Sequence, residues 1–222
     1  MSQPAPAARV VHKVELATTA FDANGKSQAS KRQTATLVLR PGARDVQYEV
    51  LSRIDLRPGR YNLRFAGRNG ALDQGGSVFQ DVEVVELEDD EVALSGVVLS
   101  SDPAPQSAPK GALADLIPVI PTSLREFTRS TAVTAFARLY VGRKLKPGTS
   151  EVVATLADRS GREVFREARV VQAGDLTKSG TADVPIVLPL HVLQPGPHLL
   201  TLTVADSRGR EPLVRQVRFA VR

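Results

Sequence analysis

Chemistry in this chain would have to start from very few groups. His12, His191 and His198 are the only imidazoles among 222 residues, and there is no cysteine. A metal centre or an acid–base pair needs such side chains converging with carboxylates at helical or alternate-strand spacing. None of the three histidines has a carboxylate so placed. His191 and His198 flank a Pro-Gly turn, and His198 stands where an earlier stretch of the same pattern has Tyr61, which favours packing over ligation. Glu88, Asp89, Asp90 and Glu91 are weak metal candidates, because Ca²⁺ seeks several hard oxygens. They lack the spaced Asp-x-Asp-x-Asp-Gly pattern and read as a solvated hinge. No Gly-x-Ser-x-Gly elbow, phosphate loop, dinucleotide fingerprint or His-Glu-x-x-His is present. No catalytic residue and no cofactor is therefore assigned, and a non-enzyme is expected.

The formal net charge of +5 raises the question of a polyanion partner. Its distribution argues against one. Residues 81–91, DVEVVELEDDE, hold seven acids and no base, the basic residues elsewhere form no stripe, and the three Tyr and seven Phe are scattered. Nucleic-acid modules pair basic grooves with stacking aromatics, so no nucleic-acid partner is expected. The prolines in 113–127 (LADLIPVIPTSLREF) interrupt its apolar run, and Leu116, Ile117, Val119 and Ile120 form a candidate interaction surface if exposed. No run of about 18 apolar residues occurs, so no membrane insertion is expected. The opening MSQPAPAARVV carries no apolar stretch of signal-peptide length, so the chain as given reads as soluble.

What positions these groups is a β-rich scaffold. Period-two alternation recurs about every ten residues between Gly, Pro, Asn and Asp, and helical periodicity is nearly absent. Strands are expected near 10–21, 32–39, 46–54, 60–67, 77–86, 92–100, 122–127, 132–141, 150–157, 163–171, 182–189, 198–205 and 213–221, with one helical turn near 112–117. Zero Trp and 5% aromatics leave the core to Val, Leu, Ile and Ala.

Two phrases repeat. IDLRPGRYNLRF (54–65) is matched by LHVLQPGPHLLTLTV (190–204), and DANGK (22–26) by DRSGR (158–162). The turn glycines are 136 residues apart and the Pro-Gly pairs 137, so offsets within one residue of each other imply a duplicated unit. The expected architecture is all-β: a disordered tail over 1–8, a first sandwich over 9–88, and a second over 89–222 with a Pro-rich loop at 101–111. Both would be immunoglobulin- or fibronectin III-like. The first is short by about two strands, whose counterparts in the second precede its Asp-turn hairpin. It must then borrow cover from the second copy, another chain or further sequence, since open edges and faces are liabilities.

RPGRYNLRFAGRN, GSVFQDVEV and ALSGVVLSSD, in that order, resemble the region that follows the von Willebrand factor A domain in bacterial, acidobacterial-type VWFA-related proteins. PTSLREFTRSTAVTAFARLY and LQPGPHLLTLTVADSRGREPLVRQVRFAVR are similar too. The resemblance covers roughly 10–222 and implies a larger, exported parent, periplasmic or extracellular. The A domain's Asp-x-Ser-x-Ser metal loop does not occur in this chain, so metal-dependent adhesion does not carry over. The expected function is a non-catalytic spacer or protein-interaction module, with a protein partner or self-association and no small-molecule substrate. The alternative is a carbohydrate- or ligand-binding sandwich, disfavoured by the absence of Trp. Arg215 and Arg218, an odd number apart on the last strand, are expected to face opposite ways and, with Arg208 and Arg210, to protect an edge.

Overall fold

A computed structural model describes residues 10–39, 48–86, 91–109, 111–142, 144–145, 148–206 and 211–222. The chain is nearly all β, with fifteen strands among the described residues: β1 (Val10–Phe21), β2 (Ser27–Leu39), β3 (Glu49–Val50), β4 (Gly59–Asn69), β5 (Gln74–Val84), β6 (Val92–Leu94), β7 (Val98–Asp102), β8 (Ser107–Ala108), β9 (Glu126–Phe127), β10 (Ala132–Val141), β11 (Ser150–Ala157), β12 (Glu163–Val171), β13 (Thr181–Leu188), β14 (Gly196–Asp206) and β15 (Leu213–Val221). The only helical turns among these residues are two short 3-10 segments, Ala173–Asp175 and Leu190–Val192. No helix is long and apolar enough to cross a membrane.

The chain divides into two compact units. One joins Met1–Glu86 to Pro105–Leu116; the other joins Leu87–Ala104 to Ile117–Arg222. The expected Pro-rich loop of the second sandwich is thus cut, and its latter part goes with the first unit. There Glu49 and Leu51 donate backbone N–H to Gln106 and Ala108 (2.8 and 2.9 Å), pairing β3 with β8 in parallel. Arg53 bridges Asp55 and Asp115 at 2.9 and 3.1 Å. The helical turn expected near 112–117 is a run of turns, with Ala114 and Leu116 donating to Gly111 and Leu113, where no helix is assigned.

The second unit buries an apolar core between two sheets. One has the order β13-β10-β6, with β7 also paired to β10; the other is β12-β11-β14-β15-β9. β11 and β13 alternate, so Val152, Ala154 and Leu156 meet Val184, Ile186 and Leu188 inside. β10 runs AVTAFARLYV and half of its residues are buried, which suits a central strand lined by Ala135, Ala137 and Leu139. Residues 92–100 do not form the single strand that alternation suggests. Ser95 Oγ accepts the Arg138 N–H at 2.8 Å, the chain bends at Gly96, and β6 and β7 pair with opposite ends of β10.

The first unit holds one four-stranded sheet, β2-β1-β4-β5, beside the small β3–β8 pair. Its order repeats β12-β11-β14-β15, and its register repeats as well. Ala20 lies opposite Leu63 as Leu156 lies opposite Leu200, and Ala20 opposite Ala29 as Leu156 opposite Phe165. Gly59 faces Val84 as Gly196 faces Val221. The hairpins match atom by atom. Asp22 Oδ1 accepts the N–H of Asn24 and Lys26 at 2.9 and 3.0 Å, and Asp158 Oδ1 accepts those of Ser160 and Arg162 at 2.9 and 3.1 Å. The repeated Pro-Gly has a backbone cause: Gly59 and Gly196 take φ of 148° and 133°, a region L side chains rarely enter.

Candidate functional site

Matching registers let the same sheet face be compared in a covered and a less covered setting. On the inward face of β14, Leu200 and Leu202 are fully buried under the opposing sheet. Their counterparts on β4 are Leu63, half-buried, and Phe65, 37% exposed. Among the described residues the only buried apolar side chains of the first unit are Ala20 and Ala35. In the second unit the facing sheet is built on β10 and β13, whereas the only other described strands of the first unit are the short β3 and β8.

Exposure is greatest along β5, the sheet's edge. Val78 and Phe79 sit on opposite faces and are 64% and 59% exposed. The Arg64 guanidinium lies 5.3 Å from the Phe79 ring centre, a cation–π contact on an otherwise open surface. Farther along, Asn62 donates to Asp81 at 2.7 Å, and Arg60 approaches Glu83 at 3.5 Å. After Gln80, β5 runs Asp81, Val82, Glu83 and Val84, and the strand has no Lys, Arg or Pro. The other edge, β2, carries Lys31 and Arg32, and β12 carries Arg166 and Arg169, charges that discourage strand pairing. A groove of about 600 Å³ crosses the sheet beside Leu16, Gln33 and Gly67, rimmed by Glu15, Arg32 and Arg68. It has no aromatic platform for a sugar.

The predicted site residues lie apart from this surface. Glu88, Asp89 and Asp90 fall outside the described residues, as do Arg208 and Arg210; Glu91 is exposed, its carbonyl accepting the Gly142 N–H. Leu116, Ile117 and Val119 are half-buried and Ile120 is 51% exposed. Leu116 belongs to the first unit and Ile117, Val119 and Ile120 to the second. His198 is buried, its ring stacked on Phe219 at 5.7 Å, while Nδ1 sits 3.0 Å from the Gly196 carbonyl. His191 is exposed on the 3-10 turn, and Nδ1 of His12 meets the Asn69 amide at 3.3 Å. No group of three His, Cys, Asp or Glu side chains gathers among the described residues.

Arg215 and Arg218 do point to opposite sides, yet Arg215 does more than guard an edge. Its guanidinium donates to the Leu94 carbonyl at 2.9 Å, tying β15 to β6 across the end of the second sandwich. Arg138 pairs with Asp183 at 2.6 Å between β10 and β13. The hydrogen bond that Arg138 donates to the Asp183 carboxylate is the main influence raising the guanidinium above its ordinary range. In the hairpins, the Lys26 N–H leads in lowering the Asp22 carboxyl, and the Ser160 hydroxyl leads in lowering that of Asp158.

No family model matches the chain. No curated protein matches it either. Among solved structures it is similar to the crystal structure of dimeric latent PorU from Porphyromonas gingivalis, at 11% identity and a TM-score of 0.33. That match covers 95% of this chain, which spans 16% of the other's length.

Proposed function

We propose that the chain is a non-catalytic interaction module, built as two tandem sandwiches of immunoglobulin or fibronectin III type within a larger VWFA-related protein. The second unit is the complete scaffold and the first is the binding end. The strand order of the second unit, a four-stranded sheet of β6, β7, β10 and β13 against β12-β11-β14-β15-β9, supports the sandwich reading. One observation carries the function: sheets of the same order and register bury Leu202 in one unit and leave Phe65 and Val78 exposed in the other. Exposed apolar surface of this kind favours association with protein.

A photo-crosslinker at position 78 tests this, with one at position 187 as control, because Val187 is similarly exposed, at 68%, on a unit whose core is closed. In extract from the source cells, discrete protein adducts should form from position 78 and not from 187. Equal labelling from both positions, or none from 78, would contradict the reading. The carbohydrate-binding alternative predicts instead that the full chain binds members of a glycan array.

A further inference from the structure

We infer that the free edge of β5 is an acceptor for an extended, basic segment of a partner protein, which adds to the first unit's sheet in parallel alongside Glu83 and Val84. The inference deepens the reading of the first unit as the binding end and rests on it. Its template lies within the molecule.

In the second unit, β15 is the counterpart of β5, and β15 does not end its sheet. β9 adds to it in parallel, with Ala220 opposite Glu126 and Val221 opposite Phe127. Two hydrogen bonds hold it: the Ala220 N–H donates to the Arg125 carbonyl at 2.7 Å, and the Arg222 N–H to the Phe127 carbonyl at 2.9 Å. Phe127 is buried and meets the Phe219 ring edge-on at 6.4 Å. Because Gly59–Val84 and Gly196–Val221 share one register, the residues in place of Ala220 and Arg222 are Glu83 and Val85. Their N–H groups therefore point away from β4, toward the sheet's open side. Val82 takes the place of Phe219 and offers the apolar seat for an incoming side chain.

No described strand pairs with that side of β5. The strand is eleven residues long, free of Lys, Arg and Pro, and exposed over most of its length. Edges of this kind accept strands: main-chain hydrogen bonds supply affinity and alternate side-chain seats supply selectivity.

Charge selects the occupant. In the second unit the added strand brings Glu126, which pairs with Arg222. The first unit has Val85 in place of Arg222, and Asp81, Glu83 and Glu86 line the edge without a base between them. The complementary sign is reversed, so the incoming segment should be basic. A second copy of the chain fits poorly, since its own β9 already serves its β15 and its own β5 is equally acidic.

The probe is a synthetic peptide with the sequence of residues 122–129 in which Lys replaces Glu126, compared with an acidic version carrying Glu at the three basic positions. Added to the full chain at ten times its dissociation constant, the basic peptide should slow amide exchange at Glu83 and Val85 about tenfold, the protection that such occupancy gives. The acidic peptide should bind at least about threefold more weakly at low salt, in keeping with the modest strength of exposed ion pairs. Val85→Pro removes one outward donor and leaves the β4 ladder intact, because proline is tolerated at such edge positions. It should abolish the protection at Glu83 while the melting temperature is retained. Unchanged exchange at both amides, or full binding by Val85→Pro, would overturn the edge assignment; equal binding of the acidic peptide would overturn the basic partner. Position-78 adducts that persist in Val85→Pro would leave the interaction reading standing while removing this edge from it.

Discussion

Truncating Phe65 and Leu202, counterparts in the two sheets, should reverse the usual order of side-chain size. In a closed core Leu→Ala costs about 2.7–5 kcal/mol and Phe→Ala about 3–5 kcal/mol, part of each arising from the cavity left behind. Leu202 is fully buried among Leu200, Val204 and the opposing sheet, so Leu202→Ala should lose about 3–4 kcal/mol from the second unit. Phe65 is 37% exposed, and the space vacated by Phe65→Ala opens to water. The cavity contribution then largely disappears. What remains is the transfer of under 100 Å² of apolar surface, about 1–2 kcal/mol at roughly 25 cal/mol per Å² once residual burial in the unfolded chain is allowed for. Urea titration followed by peptide-resolved amide exchange reads each unit separately. A cost for Phe65→Ala equal to or above that for Leu202→Ala would refute the claim that the first sheet's face is incompletely covered.

Other outcomes follow from the same geometry. Gly196→Ala should destabilise the second unit by about 1–3 kcal/mol through its φ of 133° alone, since no atom lies within 4 Å of the added carbon; thermal melting checks this. Arg215→Ala orphans the Leu94 carbonyl at the sandwich end and should cost about 1–2 kcal/mol in urea unfolding. Asp22 and Asp158 titrate below their ordinary value of 3.8 when folded. The stabilisation from these turns is therefore complete above that value and lost as pH falls through the lowered folded values. Asp158→Asn should flatten this acid limb in the second unit's pH–stability curve, and an unchanged limb would count against the turn assignment.

Much of the scaffold is legible from alternation and turn chemistry. The strands expected at 10–21, 132–141, 150–157, 163–171 and 213–221 have the observed bounds. The stretch 46–54 keeps only Glu49–Val50 as strand among its described residues, since its pairing is a short parallel contact with β8. That contact joins residues 58 apart in the chain, and local pattern carries no trace of it. The bend at Ser95 and Gly96 likewise depends on a hydroxyl reaching Arg138. The candidate site was the least legible part. β5 reads as one more strand, and only the sheet order makes it an edge. One signal was available: residues 74–86 contain no base and no proline, unusual for a strand left open. The apolar cluster from Leu116 to Ile120 stands out by composition, yet most of it is half-buried.

The central claim is that two sheets of one register differ in what covers them, and the absence of native cysteine allows it to be tested directly. Native-state thiol labelling of Phe65→Cys and Leu202→Cys reads the same sheet position in each unit under identical conditions. Position 65 should react well before unfolding, and position 202 only when the second unit opens. Protection at position 65 as strong as at position 202 would contradict the account.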